Sequence, residues 1–117
     1  MDRNSSDYES LPEEILPETL DDWHEENQTF TLIDIRKPFE REQVKLDDDL
    51  WIPMSEIPEE FDQLREMAPP IILYCHHGQR SFQATKFVRE QGIEETYSLA
   101  GGIDAWARSI DSDLPRY

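Results

Sequence analysis

The stretch that decides the fold of this chain is Ile71-Ile72-Leu73-Tyr74-Cys75-His76-His77-Gly78-Gln79-Arg80-Ser81. The four apolar residues at its start are typical of a buried strand. Beyond it, apolar residues recur at helical spacing from Phe82 to Gln91, and Gly92 marks the end of that pattern. We therefore expect a strand that ends at Cys75, then a tight loop, and then a helix that begins near Ser81.

The loop after Cys75 has the composition of an anion-binding site. Between a strand and the N-terminus of a helix, several backbone N–H groups point at one place and favour negative charge there. Together with the guanidinium of Arg80 they would stabilise a thiolate at Cys75, and the thiolate is the nucleophilic form of a thiol. Gly78 lets the loop turn. Ser81 is expected to cap the helix and to offer its hydroxyl to the loop.

The pattern Cys-x-x-Gly-x-Arg-Ser after an apolar strand closely resembles the active-site loop of the rhodanese (sulfurtransferase) domain. The resemblance implies that Cys75 is catalytic: it takes a sulfane sulfur from a donor, becomes a persulfide, and passes the sulfur to an acceptor nucleophile. The residues that would bind the substrate are the rest of the loop, namely His76, His77, Gly78, Gln79, Arg80 and Ser81.

The segment Asp34-Ile35-Arg36-Lys37-Pro38-Phe39-Glu40 is similar to the Asp-Val-Arg-x-x-x-Glu signature of the same family. It ends a second apolar strand, so its charges would lie at the carboxyl end of that strand, beside the loop of the neighbouring one. Asp34 and Arg36 would support the loop there, or they would form an ion pair that only joins two surface elements; both interpretations stay open. Arg36 and Glu40 are four residues apart and would pair if the turn is helical.

Two further segments decide how far the resemblance extends. The stretch Ala100-Gly101-Gly102-Ile103-Asp104-Ala105-Trp106 is similar to the Gly-Gly-x-x-x-Trp segment of the family, and its glycines permit a sharp turn with close backbone approach. Residues 43–51 depart from the family. Where a Gly-His-Ile segment and a Gly-Ala pair are usual, this chain has Asp47-Asp48-Asp49. We expect this difference to change the shape of the connection and the partners that can approach it. It does not affect Cys75.

Strands and helices alternate along the chain, which predicts an α/β fold with a parallel sheet and helices on both faces. The resemblance implies a single rhodanese-like domain, which we expect at residues 15–110. An acidic, loosely ordered N-terminus would precede it at 1–14, and a polar tail would follow at 111–117. Within the domain, residues 55–67 carry apolar side chains at helical spacing and predict one amphipathic helix.

The length, net charge and cysteine count of the chain restrict its expected compartment and its classes of partner. With 117 residues and a formal net charge of −16, the chain is expected to bind neither nucleic acid nor a membrane. It has one cysteine, so it can form no internal disulfide, and a reducing compartment is expected. The polar start at Met1-Asp2-Arg3 does not resemble a signal peptide, and the cytoplasm is the simplest location.

The mechanism implied by the resemblance needs neither a cofactor nor a metal. The sulfur donor would be a small molecule such as thiosulfate, or a persulfide-carrying protein. Because no second cysteine can resolve the persulfide, the acceptor would be an external thiol or another nucleophile. His76 and His77 make a poor zinc site, since zinc takes three or four ligands. They are expected to line the mouth of the site, where a protonated imidazole would favour an anionic donor.

Two other functions remain open on the sequence alone. A cysteine phosphatase or an arsenate reductase also sets a cysteine and an arginine around an anion, but those enzymes resemble Cys-x5-Arg. Cys75 and Arg80 enclose four residues, a smaller ring that suits a persulfide sulfur better than a tetrahedral oxyanion. The other alternative is a binding or regulatory module of rhodanese fold that no longer reacts. Such modules typically lack the cysteine that this chain keeps.

Overall fold

A computed structural model describes residues 13–117 of the chain. The acidic segment predicted at 1–14 lies outside the described residues, apart from its last two positions. The strands are β1 (Glu14–Ile15), β2 (Thr31–Asp34), β3 (Leu50–Trp51), β4 (Ile71–Tyr74) and β5 (Thr96–Leu99). The α-helices are α1 (Pro17–Glu25), α2 (Pro38–Gln43), α3 (Phe61–Glu66), α4 (Gln79–Glu90) and α5 (Gly102–Ser109). None of the helices in this part of the chain is long and apolar enough to cross a membrane.

The five strands form one parallel sheet in the order β1-β5-β4-β2-β3. β4 lies at the centre, and all four of its side chains are buried, as its continuous apolar run indicates. Its neighbour β2 pairs with it in a register that sets Asp34 opposite Tyr74. Because the two strands are parallel, Ile35 and Cys75 leave the sheet at the same end, where sites in such sheets form. The predicted α/β fold with a parallel sheet is confirmed.

Helices cover both faces of this sheet, which confirms the second part of the fold prediction. Alternate side chains of a strand point to opposite faces. Ile71 and Leu73 of β4 therefore join one core cluster, and Ile72 and Tyr74 join the other. Helices α3 and α4 close the first cluster, and α1 and α5 close the second. The buried side chains that these helices contribute are Leu64, Ala84 and Val88 on the first face, and Leu20 and Ile103 on the second.

One predicted helix is divided in two. The sequence pattern over 55–67 predicts a single amphipathic helix, but the structure has a 3-10 helix at Met54–Glu59 followed by α3. Pro58 lies inside the 3-10 helix and has no N–H to donate to an α-helical ladder, which accounts for the interruption. Ile57 and Leu64 are nevertheless buried in the same cluster, because the apolar spacing continues across the break.

The connection that departs from the family pattern contains a buried carboxylate. The side chain of Asp49 accepts two hydrogen bonds from Arg41, each 2.9 Å long, and a third from the hydroxyl of Tyr74 at 2.7 Å. Arg41 also donates to Asp34 at 3.0 Å. Asp49 therefore ties the connection to the central strand, so at this position the departure has a structural role.

Residues 111–117, which the sequence sets apart as a polar tail, return to the domain. Leu114 and Tyr117 pack against the second core cluster. Arg116 donates to the carboxylate of Asp104 on α5 at 2.8 Å. The ring of Tyr117 also stacks on that of His76, in the loop after β4. This segment therefore forms part of the wall of the site described next.

Candidate active site

Cys75 lies directly after β4, in the loop that leads into α4. The residue is only 1% exposed. The backbone N–H groups of Gly78 and Ser81 donate to its Sγ over 3.1 and 3.3 Å. The Sγ also lies 3.4 Å from the hydroxyl oxygen of Ser81. Two amides thus donate to one sulfur atom, an arrangement that supports negative charge on it, while the Cys75 thiol donates to the Ser81 hydroxyl.

Ser81 contributes to the loop, but it does not cap the helix as the sequence analysis predicts. Helix α4 begins two residues earlier, at Gln79, because Gly78 takes the cap position in the left-handed conformation, with φ +99°. Ser81 therefore lies in the first turn. Its hydroxyl donates to the carbonyl of Gly78 at 3.3 Å and shares a 2.7 Å hydrogen bond with the hydroxyl of Ser98. Ser98 is a buried residue of β5 that the sequence analysis did not single out.

Gly101, just before α5, and Gly102, its first residue, let the start of that helix lie against the loop. The N–H of Ile103 donates to the carbonyl of Cys75 at 2.9 Å, and the N–H of Asp104 donates to the carbonyl of His76 at 3.0 Å. A Cβ on Gly102 would lie 2.5 Å from the Cys75 carbonyl oxygen, and one on Gly78 would lie 2.9 Å from the amide nitrogen of Gly101. The first turn of α5 therefore holds the backbone around Cys75.

Arg80 is engaged with a carboxylate rather than free to face the sulfur. Its Nη1 and Nη2 donate to the two oxygens of Glu40, each at 2.9 Å. These bonds raise the pKa of Arg80 above its usual value, and the nearby charge of Cys75 raises it further. Arg80 thus interacts electrostatically with Cys75, but Glu40 neutralises much of its charge. The loop sequence predicts a cation here, but it contains no signal for the partner Glu40, which lies 40 positions away.

The expected Arg36–Glu40 pair does not form, because Arg36 already holds Asp34. Arg36 Nε and Nη2 donate to the two oxygens of Asp34 at 2.8 and 3.0 Å. Both side chains are fully buried, so the interpretation of a surface ion pair is wrong. Arg36 also donates to the carbonyl of Val44 and, at 2.7 Å, to the hydroxyl of Tyr117. Tyr117 links this ion pair to the loop, because its hydroxyl contacts Arg36 and its ring stacks on His76.

Tyr117 is the site residue that sequence reasoning missed most clearly. Its hydroxyl donates to Glu40 Oε2 at 2.9 Å, across 77 positions of sequence. Its ring stacks on His76 with centroids 3.9 Å apart and an angle of 8° between the planes. The only available signal is the spacing of Leu114 and Tyr117, two apolar side chains three residues apart in an otherwise polar tail. That spacing indicates that the two side chains pack against the domain, but it does not identify the residues that they contact.

His76 and His77 lie together at the mouth of the loop, with ring centroids 3.8 Å apart. His77 is exposed, whereas His76 is half-buried between His77 and Tyr117. Burial lowers the pKa of His76, and the neighbouring His77 lowers it further. His76 is therefore neutral near neutral pH, and the positive charge that the sequence analysis expects on an imidazole at the mouth is disfavoured at this position.

The same two histidines approach a third group with metal-ligand chemistry. Atoms of His76, His77 and Asp104 that could bind a metal lie within 4.8 Å of one another. However, Arg116 donates to one oxygen of Asp104 at 2.8 Å, and Arg108 donates to the other at 3.1 Å. The arrangement therefore does not suit tetrahedral zinc.

A groove of about 370 Å³ opens beside the loop. Arg80 contributes to its lining, so it adjoins the candidate site. Its other walls are mainly apolar side chains from the ends of β2, α2 and the 3-10 helix, namely Ile35, Pro38, Pro53 and Met54. Such a surface favours the apolar part of a bound molecule over a free dianion.

The lowered pKa of Glu40 predicts how the stability of the fold depends on pH. Arg80, with help from the Lys37 amide and the Tyr117 hydroxyl, lowers the pKa of Glu40 from 4.5 to about 2. A pKa lowered by folding adds stability above the unfolded value, and this stability is lost as the pH falls towards the folded value. In urea titrations between pH 5 and about pH 2, the free energy of unfolding should therefore fall less in Glu40→Gln than in the wild type. Glu42→Gln, an exposed control on α2, should follow the wild type; equal slopes in all three would contradict the prediction.

Comparison with known proteins agrees with the geometry of the site. The sequence model of a family described as Rhodanese-like domain matches residues 16–109. A protein of Allochromatium vinosum named Sulfurtransferase is 36% identical over 95 residues, which cover 81% of this chain and 88% of that protein. The probable adenylyltransferase/sulfurtransferase MoeZ of Mycobacterium tuberculosis is 34% identical over 105 residues, which cover 88% of this chain but 26% of MoeZ.

Solved structures give the same result for the fold. A rhodanese-related protein from Thermoplasma volcanium is similar with a TM-score of 0.69 and 28% identity, covering 83% of this chain and 92% of that one. A rhodanese-like domain protein from Staphylococcus aureus has a TM-score of 0.74 and 22% identity, covering 90% and 98%. At that identity the second likeness concerns the fold alone.

Proposed function

The chain belongs to the rhodanese-like domain family, and from this premise we propose that it is a sulfurtransferase that carries a sulfane sulfur on Cys75. The observation that carries the proposal is the convergence of the Gly78 and Ser81 amides on the Cys75 Sγ. A module that only binds has no need of a sulfur atom held in this way. The named relative of similar length is also a sulfurtransferase.

The proposed reaction has two displacements at sulfur. In the first, the Cys75 thiolate attacks the sulfane sulfur of the donor. A new S–S bond forms, the bond to the rest of the donor breaks, and that part leaves with its electron pair as sulfite or a thiolate. In the second, an external thiolate or another nucleophile attacks the terminal sulfur of the persulfide, and the Cys75 thiolate is restored. The cycle has no net change at Cys75 and requires no cofactor.

The charges around the loop favour a persulfide over thiosulfate as the donor. Arg80 and Arg36 are both paired with carboxylates, and His76 is neutral, so these three groups offer a small dianion little uncompensated positive charge. Lys37, an exposed residue, is a further cation in the lining of the groove. The net charge of −16 repels it further. The apolar groove beside Arg80 can instead receive the carbon skeleton of a persulfide, whether free or borne by a protein. We propose that thiosulfate is a workable but inefficient donor.

Ionic strength should separate these two donor classes. Because salt screens the repulsion between the protein and an anion, the second-order rate of sulfur uptake from thiosulfate should rise, by roughly two- to fivefold, from low to moderate salt. The rate with an uncharged persulfide should change much less. Stopped assays at matched donor concentrations would measure both rates. A thiosulfate rate that falls with salt would mean that the local cations outweigh the field of the whole protein.

Arg80→Lys should impair sulfur transfer more than it impairs folding. Lysine keeps the charge but loses the planar fork that binds both oxygens of Glu40. We expect the second-order rate of sulfur uptake to fall about tenfold, because an ammonium group on a flexible stem no longer holds its charge in one fixed place beside the loop. The melting temperature should change by a few degrees at most, since Arg80 is partly exposed. Arg89→Lys, near the other end of α4, serves as the control; equal rates in the two variants would contradict a role for Arg80.

The test of the function is direct. The protein is incubated with thiosulfate, or with a low-molecular-weight persulfide, and its intact mass is measured. We expect a gain of one sulfur atom, which cyanide then removes as thiocyanate. A protein that gains no sulfur from any donor would contradict the proposal and favour the binding module. Hydrolysis of an aryl phosphate in the absence of sulfur uptake would favour a cysteine phosphatase instead.

A further inference from the structure

The hydroxyl of Tyr117 joins charged groups that come from different parts of the site. It accepts a hydrogen bond from Arg36 Nη1 at 2.7 Å and donates one to Glu40 Oε2 at 2.9 Å. The same Glu40 oxygen accepts from Arg80 Nη2 at 2.9 Å. Tyr117 and Arg80 therefore share one carboxylate oxygen.

The ring of Tyr117 also contacts the loop itself. It lies parallel to the ring of His76, the residue that follows the nucleophile. The backbone of His76 is held from α5 through its carbonyl, which accepts from Asp104. One side chain from the 111–117 segment thus contacts both the loop and the ion pair beside it.

We infer that Tyr117 is a positioning residue that increases the reactivity of Cys75 by acting on Glu40 and Arg80, an inference that rests on the proposed function. By donating to Glu40, the phenol takes up part of the negative charge that would otherwise act on Arg80 alone. More of the positive charge of Arg80 then acts on the Cys75 sulfur, which accepts a hydrogen bond from the amide of the next residue, Ser81, and interacts with Arg80. Without the hydroxyl, Glu40 neutralises Arg80 more completely, and the thiolate is stabilised less.

The phenol stays able to donate over the working pH range. Burial raises the pKa of Tyr117 to about 12, against the opposite effect of Arg36. The charged or titratable groups that face it are Arg36 and Glu40 at its hydroxyl and His76 at its ring. Because His76 is disfavoured as a cation and Glu40 is ionised down to about pH 2, the network keeps one charge state near neutral pH.

The experiment compares Tyr117→Phe, which keeps the ring and its stack, with the wild type. Cys75 is alkylated by iodoacetamide, an uncharged reagent, and the rate is followed against pH. At neutral pH we expect the rate in Tyr117→Phe to fall about threefold, and its rise with pH to move to higher pH, because one hydrogen bond to a charged group is lost. A merely loosened structure would expose the buried thiol and speed alkylation instead. A rate equal to or above that of the wild type overturns the inference.

Two further variants make the test specific. Tyr97→Phe removes a hydroxyl from a half-buried tyrosine of β5 and should keep the wild-type alkylation rate. In a Glu40→Gln background, Tyr117→Phe should have no further effect, because no carboxylate charge is left to share. The same threefold loss in both backgrounds would show that Tyr117 does not act through Glu40 and would overturn the inference.

Alkylation also separates this inference from the proposed function. Iodoacetamide reacts with the Cys75 thiolate whether or not the protein transfers sulfur. A wild-type protein that takes up no sulfur contradicts the proposed function, whereas equal alkylation rates in wild type and Tyr117→Phe contradict the inference. Melting temperatures of all variants, measured alongside, exclude unfolding as the cause of a change.

Discussion

Replacing Cys75 with serine is expected to abolish sulfur uptake while the fold remains intact. The serine hydroxyl is similar in shape to the thiol and can accept hydrogen bonds from the Gly78 and Ser81 amides, so the loop keeps its backbone. A neutral hydroxyl does not ionise near neutral pH and cannot displace a sulfane sulfur as a thiolate does. We expect the rate of sulfur transfer to fall by at least about a thousandfold.

Intact mass after incubation with a persulfide donor gives a clear answer, because Cys75 is the one cysteine in the chain. The wild type should gain one sulfur atom and Cys75→Ser none, at melting temperatures within a few degrees of each other. Ser98→Ala serves as a second variant for comparison, because it removes a hydroxyl near the loop but keeps Cys75. If Cys75→Ser gains the same mass as the wild type, the sulfur is carried elsewhere and the proposed mechanism fails.

Gly102→Ala should cause the largest loss of stability among single substitutions at the site. Gly102 has φ +65°, and a Cβ there would meet the carbonyl oxygen of Cys75 at 2.5 Å, so the backbone of the loop or of α5 must move. We expect the free energy of unfolding to fall by about 3 kcal/mol, from backbone strain and the lost contacts between α5 and the loop. Sulfur transfer should fall with it, because the displaced carbonyl belongs to the nucleophile itself.

Gly92→Ala is the matched control for this substitution. Gly92 also has a positive φ, of +89°, but a Cβ there would meet nothing within 4 Å. Its replacement should therefore cost only the conformational strain, about 1 kcal/mol. Urea unfolding of both variants measures the difference. Equal losses would mean that close contact with the loop is not what requires glycine at 102.

The sheet and the loop were accessible from the sequence because their signals are local. The run from Ile71 to Tyr74 is continuously apolar, so it predicts a central strand, and the loop pattern follows it directly. The two-glycine segment likewise predicts close backbone approach before its partner is known. The catalytic and binding roles of these residues stay predictions until sulfur transfer is measured.

The contacts that the sequence analysis missed are made between distant residues. Arg36 could pair with Asp34 or Glu40 by spacing alone, and only the fold decides for Asp34. Glu40 finds Arg80 across 40 positions and Tyr117 across 77, distances for which one sequence carries no pattern. The divided helix over 55–67 is different, because its signal is local: Pro58 has no N–H to donate, and this outweighs the apolar spacing that favours one continuous helix.

The loop around Cys75 is built largely from backbone atoms. The amides that hold the sulfur and the carbonyls that hold the loop on α5 remain when side chains change, provided that Gly78, Gly101 and Gly102 stay. His77 and Gln79 are exposed and take no part in these bonds. Mutation can therefore vary the outer surface of the loop while the backbone around Cys75 is preserved, so that a lineage can change which molecules approach the site without dismantling it in the intermediate steps.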